Sequence, residues 1–434
     1  MNANLGHALR HPQIRRLLVS VFLSNAAVAM AAVAIGQTVY DRTGRKLDLG
    51  FLGLAEFAPA FLLVLVTGPV ADRFRRQWVG AICAGGEALT MVGLVVIVRR
   101  SSHALWPFVV LAVLLGVSRA FHAPAGRAFT PQVPPPELLP RMLAMNSATW
   151  QSASILGPVA GGFLFRIGPA WVFGLAALLV VIAAVLILVI DPHERQTPTD
   201  PEDRPSLAKA VEGLRFIRRT PVLLGAISLD LVAVLFGGAY ALLPVFAKDI
   251  LHSDAAGLGL LRAAAGAGAA VTAIALSARP IERRIGPVLF VTVGLFGAAS
   301  IGFGLSKSFA LSLVMLAIVG ASDMVSVFIR STIVPSVTPD DRRGRVMAVE
   351  NVFIGASNEL GAFESGVAAE LFGAVPAVVI GGVIVLGVVV VWPFLFRRLG
   401  TADRFTDLRA GDANRAPTDL ETGSSVADTA ATAD

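Results

Sequence analysis

Glu56, Glu87, Asp230, Arg262, Asp323, Glu359 and Glu364 stand inside long runs of Ala, Val, Leu, Ile, Phe and Gly. Arg119 stands in another such run, and Glu350 lies near the end of a further one. An ionisable group among apolar neighbours needs an opposite charge, a hydrogen-bonding partner or a proton. The chemistry open to this set is proton carriage, ion pairing and the holding of a polar molecule. Covalent catalysis is not indicated, because no nucleophile–base cluster stands out. No Gly-x-x-x-x-Gly-Lys-Ser/Thr phosphate loop is present, so no ATPase engine is expected. The 6 His are scattered, which argues against a metal site, and no cofactor is expected. His122, near the end of a run, reads as a surface or interfacial residue. Glu87 reads as a helix-packing residue.

The elements that carry these residues are set by composition. Of 434 residues, 55% are hydrophobic and 15% charged, against about a quarter charged in soluble domains. A helix needs about 20 apolar residues to cross a bilayer core. Twelve such runs are expected, over 17–39, 49–70, 78–98, 104–123, 144–165, 170–190, 222–246, 256–278, 288–306, 309–329, 346–372 and 375–396. The runs are continuous rather than alternating, which excludes a membrane β-barrel. The first run lacks a cleavage-site pattern and reads as a retained helix. The expected fold is therefore an all-α membrane protein of twelve helices in two pseudo-symmetric six-helix bundles. Residues 1–190 form the first bundle, 191–220 a charged, proline-bearing linker, and 221–399 the second bundle. Residues 400–434 are polar, without apolar periodicity, and are expected to be disordered. Lys and Arg crowd the segments that share a side with the N-terminus and the linker. By the positive-inside rule both termini are cytoplasmic. The +6 net charge is explained by these loops, so no nucleic-acid partner is expected. The lone Cys83 excludes an internal disulfide framework.

Residues 118–162 laid over 322–366 align Ser118 with Ser322, Pro131 with Pro335, Arg141 with Arg345 and Leu156-Gly157 with Leu360-Gly361. Such self-similarity marks the inverted or parallel repeats of secondary transporters. The overlay also sets Arg119 against Asp323, and one further position sets Asn25 against Asp230. At about 1.5 Å rise per residue, these four lie roughly 10–12 Å from the cytoplasmic ends of their spans, Arg119 slightly less. They make a candidate polar layer, in which Asp230 is the preferred proton carrier and Asp323 the second. Arg262, Glu359 and Glu56 lie about 9–10 Å from the outer ends, so Arg262 and Glu359 are a candidate ion pair or proton site. Glu364 shares a stripe of the eleventh run with Glu350, while Glu359 points nearly opposite.

After the second run stands Gly68-Pro-Val-Ala-Asp72-Arg73-Phe-Arg75-Arg76. It resembles the Gly-x-x-x-Asp-Arg-x-Gly-Arg signature of the major facilitator superfamily, with Arg75 in place of the usual Gly. Ile281-Glu282-Arg283-Arg284 is its degraded counterpart in the second half. Gly157-Pro158-Val-Ala-Gly161-Gly162 resembles the Gly-Pro-x-x-Gly-Gly core found in antiporters of that superfamily. Ordinary small-residue packing is the competing reading of that stretch. Pro124 to Arg127, Pro131 to Pro134, Glu137 to Pro140, Asn146-Ser147 and Asn358 to Gly366 are similar to the bacterial branch of enterobactin exporters and drug-efflux-like proteins.

The resemblance implies two six-helix bundles, a central cavity lined by spans one, four, seven and ten, and a gate at Gly68, Asp72, Arg73, Arg76, Glu282 and Arg283. It also implies a monomer in the bacterial cytoplasmic membrane whose partners are protons, the lipid bilayer and a small-molecule cargo. The expected activity is proton-driven export of a siderophore, drug or lipid-like metabolite. An uptake permease of the same fold is the first rival, and a membrane-embedded enzyme or sensor the second.

Overall fold

The computed structural model describes residues 11–63, 67, 70, 73–100, 104–192, 207–237 and 239–408. Gly68 and Asp72 of the expected gate lie outside these residues, as does most of the linker. The described chain is helical and contains no strand. In the first half the long helices are α1 (Pro12–Thr43), α2 (Lys46–Leu62), α3 (Arg76–Arg99), α4 (Trp106–Phe129), α5 (Leu139–Phe165) and α6 (Pro169–Leu188). A shorter α7 (Leu207–Arg219) follows. The second half holds α8 (Pro221–Phe236), α9 (Ala255–Ala278), α10 (Ile285–Leu305), α11 (Phe309–Val337), α12 (Asp340–Phe372) and α13 (Ala374–Leu395). Proline opens many of them at N1 or N2, where its missing N–H would be unpaired in any case.

Among the described residues, 9 helices are long and apolar enough to cross a membrane. The expected runs at 49–70, 144–165 and 346–372 are not among them. These correspond to α2, α5 and α12, all three of which join the halves of the chain to each other, α5 packing on α9 and α12 on α2. α2 is described over only 17 residues, whereas α5 and α12 carry polar residues, as helices packed between others can. Elsewhere Leu89, Val271, Val291 and Phe394 point outward with 68–73% of their surface exposed, as lipid-facing side chains do.

The halves repeat one another's packing. α1 lies on α5 and α6, as α8 lies on α12 and α13. α3 lies on α4 and α6, as α10 lies on α11 and α13. The span expected over 222–246 is broken. α8 stops at Phe236, a 3-10 turn takes Ala239–Leu242, and π-helical geometry takes Phe246–Ile250. Irregular backbone at membrane depth is tolerated where it lines a cavity. Residues 400–408 also depart from the expected tail. Ala402 and Leu408 are buried, and the Ala402 and Asp403 carbonyls accept from the N–H groups of Gly286 and Ile285.

We call the end where α1 starts and α6 finishes the linker end, and the opposite one the far end. The ion pairs and the apolar cluster that join the halves sit toward the far end. Val33, Tyr40 and Leu49 pack there with Leu242, Phe246, Leu258 and Phe303 in one buried cluster. Lys248 meets Asp41 at 2.5 Å, Tyr40 bonds Asp249, and Arg166 meets Asp254 at 2.5 Å. Asp254 also caps α9, accepting from Gly257 N–H at 3.0 Å. The Arg166 hydrogen bond, more than the cap, holds the Asp254 carboxyl below the usual carboxylate range. This contact therefore persists at neutral pH and is lost as the pH falls through that lowered value.

The Gly157-Pro158-Val-Ala-Gly161-Gly162 stretch works at this closure. A Cβ on Gly157 would stand 2.7 Å from the Ala26 carbonyl, and one on Gly161 would stand 2.8 Å from Met30 Cα, both on α1. A Cβ on Gly162 would overlap the Ala255 carbonyl at the start of α9. Two neighbours on two faces leave no room for a side chain. Gly162→Leu is accordingly predicted to lower stability by about 1–3 kcal/mol through overpacking. Gly174→Ala, with nothing within 4 Å of its new Cβ, is the control. Thermal unfolding of the purified variants checks this, and equal midpoints for both would contradict it.

Candidate functional site

Two cavities lie one above the other in the described protein. The far cavity, of about 450 Å³, takes Gly36 from α1, Glu56 from α2, Leu115 from α4, Tyr240 from the broken span, Arg262 from α9 and Glu359 from α12. The linker-side cavity, of about 390 Å³, takes Ser24 and Asn25 from α1, Glu87 from α3, Arg119 and His122 from α4 and Asn146 from α5. Glu56 belongs to the first and Arg119 to the second, and the two form an ion pair. Gly116, one turn before Arg119, allows this, because any Cβ there would overlap the Glu56 carbonyl. The pair is a septum between the cavities.

The expected groupings are redrawn. Arg119 and Asn25 do share a cavity, but Arg119 meets Glu56 rather than Asp323. The Asn25 amide turns back to the Val21 carbonyl at 2.7 Å. Asp323 lines a small cavity of about 100 Å³ with Tyr240 and Asn358. Asp230 does not join it. Its carboxylate is paired with Arg330 of α11, whose Nε lies 3.3 Å from Glu350 of α12. All three residues are at least nine-tenths buried. The charge expected to carry a proton is thus already neutralised, and Arg330 is the residue that the sequence reading missed. Its signal was present, an arginine at the end of an apolar run, but α11 continues to Val337 beyond the expected limit of 329.

Arg262 and Glu359 line the far cavity together without forming an ion pair. Matched depth did not bring them into contact; Arg262 belongs to α9 and Glu359 to α12. Arg262 Nε is buried with no hydrogen-bond partner among the described residues. Glu364 sits farther along α12, half-buried, and lines neither cavity. His122 is no interfacial residue, because its Nδ1 lies 2.7 Å from the buried Glu87 carboxylate.

At the linker end, Arg73 is exposed, and Arg76 donates to the Ala128 carbonyl at the close of α4 at 3.1 Å. Glu282 is exposed, and Arg283 meets Asp403, just beyond α13, at 3.3 Å. The contacts seen for Arg76 and Arg283 therefore stay within one half each. α7 packs on the start of α12, where Glu212 meets Arg345 at 2.6 Å and Ile217 is buried. Among the described residues no group of His, Cys, Asp and Glu suits a metal ion.

The sequence profile of the Major Facilitator Superfamily matches residues 17–362. The enterobactin exporter EntS of Citrobacter koseri is 26% identical over 404 residues, covering 93% of this chain and 95% of its own. The enterobactin exporter EntS of Escherichia coli O1:K1 is 27% identical over 347 residues, covering 79% of this chain and 82% of its own. Among solved structures, a bacterial homologue of the human lysosomal transporter Spinster, inward-facing and occupied, superposes with a TM-score of 0.71 at 14% identity. It covers 88% of this chain and 96% of its own. A D-xylose–proton symporter superposes with a TM-score of 0.65 at 12% identity, covering 88% and 97%. These likenesses carry the fold.

Removing one member of a buried ion triad leaves the others uncompensated. Arg330→Met is therefore predicted to cost about 3–5 kcal/mol of stability. Asp230→Asn and Glu350→Gln added to it should recover most of the loss, since no stranded charge remains. Thermal unfolding in detergent measures both. An Arg330→Met protein as stable as the parent would contradict the assignment.

Proposed function

Because the chain belongs to the major facilitator superfamily of membrane transporters, we propose that it is a proton-coupled exporter of a small amphipathic molecule. The cargo is a siderophore, drug or lipid-like metabolite, carried by alternating access. The observation that carries this reading is the pair of stacked cavities divided by Arg119 and Glu56. A carrier must close one side of its site before it opens the other. Here the far end is sealed by apolar packing and cross-half polar contacts, while the linker-side cavity lies on the other side of the septum. The enterobactin exporters among its relatives support export over uptake.

In this reading twelve helices form two six-helix bundles, 1–190 and 221–399, joined by the cytoplasmic linker 191–220 and followed by a cytoplasmic tail. α2, α5 and α12 complete the count that apolarity alone leaves at 9. The linker end faces the cytoplasm, where the Lys- and Arg-rich segments lie. Labelling of an Asp200→Cys variant from outside intact cells would contradict that orientation. Gly68, Asp72, Arg73, Arg76, Glu282 and Arg283 act at the cytoplasmic ends of the bundles, and the Gly157–Gly162 stretch at their outer closure.

Within the far cavity the roles divide by charge. Arg262 and Glu359, which form no ion pair among the described residues, face the cargo, with Tyr240 and Asn358 offering hydrogen bonds. The apolar lining from Leu52, Phe57, Leu111 and Leu115 suits the rest of an amphipathic molecule. Arg119 and Glu56 hold the septum. Asp230 has a structural role in the Arg330 triad, and Asp323 lies behind the cavity wall, beside Tyr240.

Inverted membrane vesicles test the proposal. With a panel of siderophores and drugs, vesicles bearing the chain are expected to accumulate at least one compound uphill under an imposed pH gradient. Accumulation should stop when the gradient is collapsed. Arg119→Ala should abolish uphill accumulation and leave downhill leakage, because the septum no longer separates the two sides. Concentrative uptake by whole cells, or accumulation indifferent to the pH gradient, would overturn the reading.

A further inference from the structure

Glu87 and His122 form a buried acid–imidazole pair that the division of roles above leaves unused. Glu87 is 1% exposed, deep in α3. Its Oε1 lies 2.7 Å from His122 Nδ1, and its Oε2 has no hydrogen-bond partner among the described residues. Both residues line the linker-side cavity, which also holds Arg119 and Asn25. His122 follows Arg119 by one turn of α4, so the pair sits beside the septum. Glu87 is near enough to act electrostatically on the Arg119 charge, as Glu56 does. The other titratable group facing it is Cys83, one turn away on the same helix. α6, packed on α3, has no ionisable side chain, and α1 presents Asn25 to the same cavity.

A carboxylate buried with one oxygen unbonded is costly unless it takes a proton or a compensating charge. We propose that the Glu87–His122 pair is the proton-binding site of the transport cycle and that it works by competing with Glu56 for Arg119. The inference rests on the proton-coupled reading above and names its site. With Glu87 ionised and His122 neutral, the pair carries one negative charge. One proton from cavity water, taken on Glu87 Oε2, brings the pair to neutrality without any other exchange. In the proton-loaded state Arg119 stays with its ion-pair partner Glu56, the Glu359 carboxylate acting on it only at longer range, and the septum is closed. In the empty state Glu87 draws on the same guanidinium and loosens the septum. Arg119 is thus the switched element, and proton occupancy biases it.

The test needs no cargo. Potentiometric titration of the purified full-length chain between about pH 5 and 9 counts protons directly. The Glu87→Gln/His122→Gln variant should bind about one proton fewer than the parent over that interval. A nitroxide at position 32, on the far side of the septum and in a Cys83→Ser background, reads exposure to a nickel chelate. In the parent that exposure should rise several-fold from acid to alkaline pH. In Glu87→Gln, which mimics the loaded state, it should stay low throughout. If Glu87→Gln does not fold, His122→Gln serves, and its exposure should no longer follow the parent's pH profile. Equal proton counts, or an exposure that ignores both pH and Glu87, overturns the assignment. Either result leaves the exporter reading standing if vesicles still accumulate cargo under a pH gradient. Loss of that accumulation in the parent would sink the exporter reading instead.

Discussion

A charge held in an apolar slab must be matched where it sits, and this constraint arranges the polar interior of the protein. Three solutions appear. Asp230, Arg330 and Glu350 answer it with a closed triad that ties α8, α11 and α12 together away from solvent. Arg119 and Glu56 answer it with a pair whose side chains remain 48% and 31% exposed to the cavities they divide. Arg262 and Glu359 form no ion pair among the described residues and face a cavity large enough for a small molecule. The order runs from structural to functional. A buried, paired charge holds helices, a shared charge divides compartments, and an unmatched charge waits for a ligand.

Backbone proximity makes these pairings possible. Gly116 lets α2 and α4 approach until Glu56 meets Arg119. Gly162 and its counterpart Gly259 let α5 and α9 meet with carbonyl against Cα, which closes the far end. Helix association inside a bilayer depends on this kind of close van der Waals contact, since lipid and side chains are equally apolar. Closure at one end and a cavity at the other are then consequences of where the small residues lie along the helices.

The helical architecture was legible in the sequence because hydropathy along the chain is a one-dimensional signal, and α1, α3, α6 and α13 match their expected runs to within a few residues. The superfamily signature and the Gly157–Gly162 stretch were legible for the same reason. Partner identity was not. Depth in a helix follows from counting residues, but the direction in which a side chain projects relative to another helix does not. Arg262 and Glu359 agree in depth and still do not meet. Arg119 was set against Asp323 by the repeat, yet it takes Glu56 from a helix outside that alignment. Boundaries mattered too. Ending the tenth span at 329 removed Arg330 from consideration, and starting the eleventh at 346 left Glu350 at a margin when α12 begins at Asp340. With both drawn inward, the triad was invisible and Asp230 stood alone.

If Arg119 and Glu56 partition the interior into two compartments, labelling at two positions of α1 will reveal the boundary. In a Cys83→Ser background, Ser24→Cys lines the linker-side cavity and Ala32→Cys the far cavity. A membrane-impermeant thiol reagent applied from the linker side at acid pH, where the septum is closed, should modify position 24 and spare position 32. Adding Glu56→Gln, which removes the carboxylate partner of Arg119, should open position 32 to the same reagent. Equal modification of both positions in the parent, or continued protection of position 32 when Glu56 is neutralised, would contradict the account.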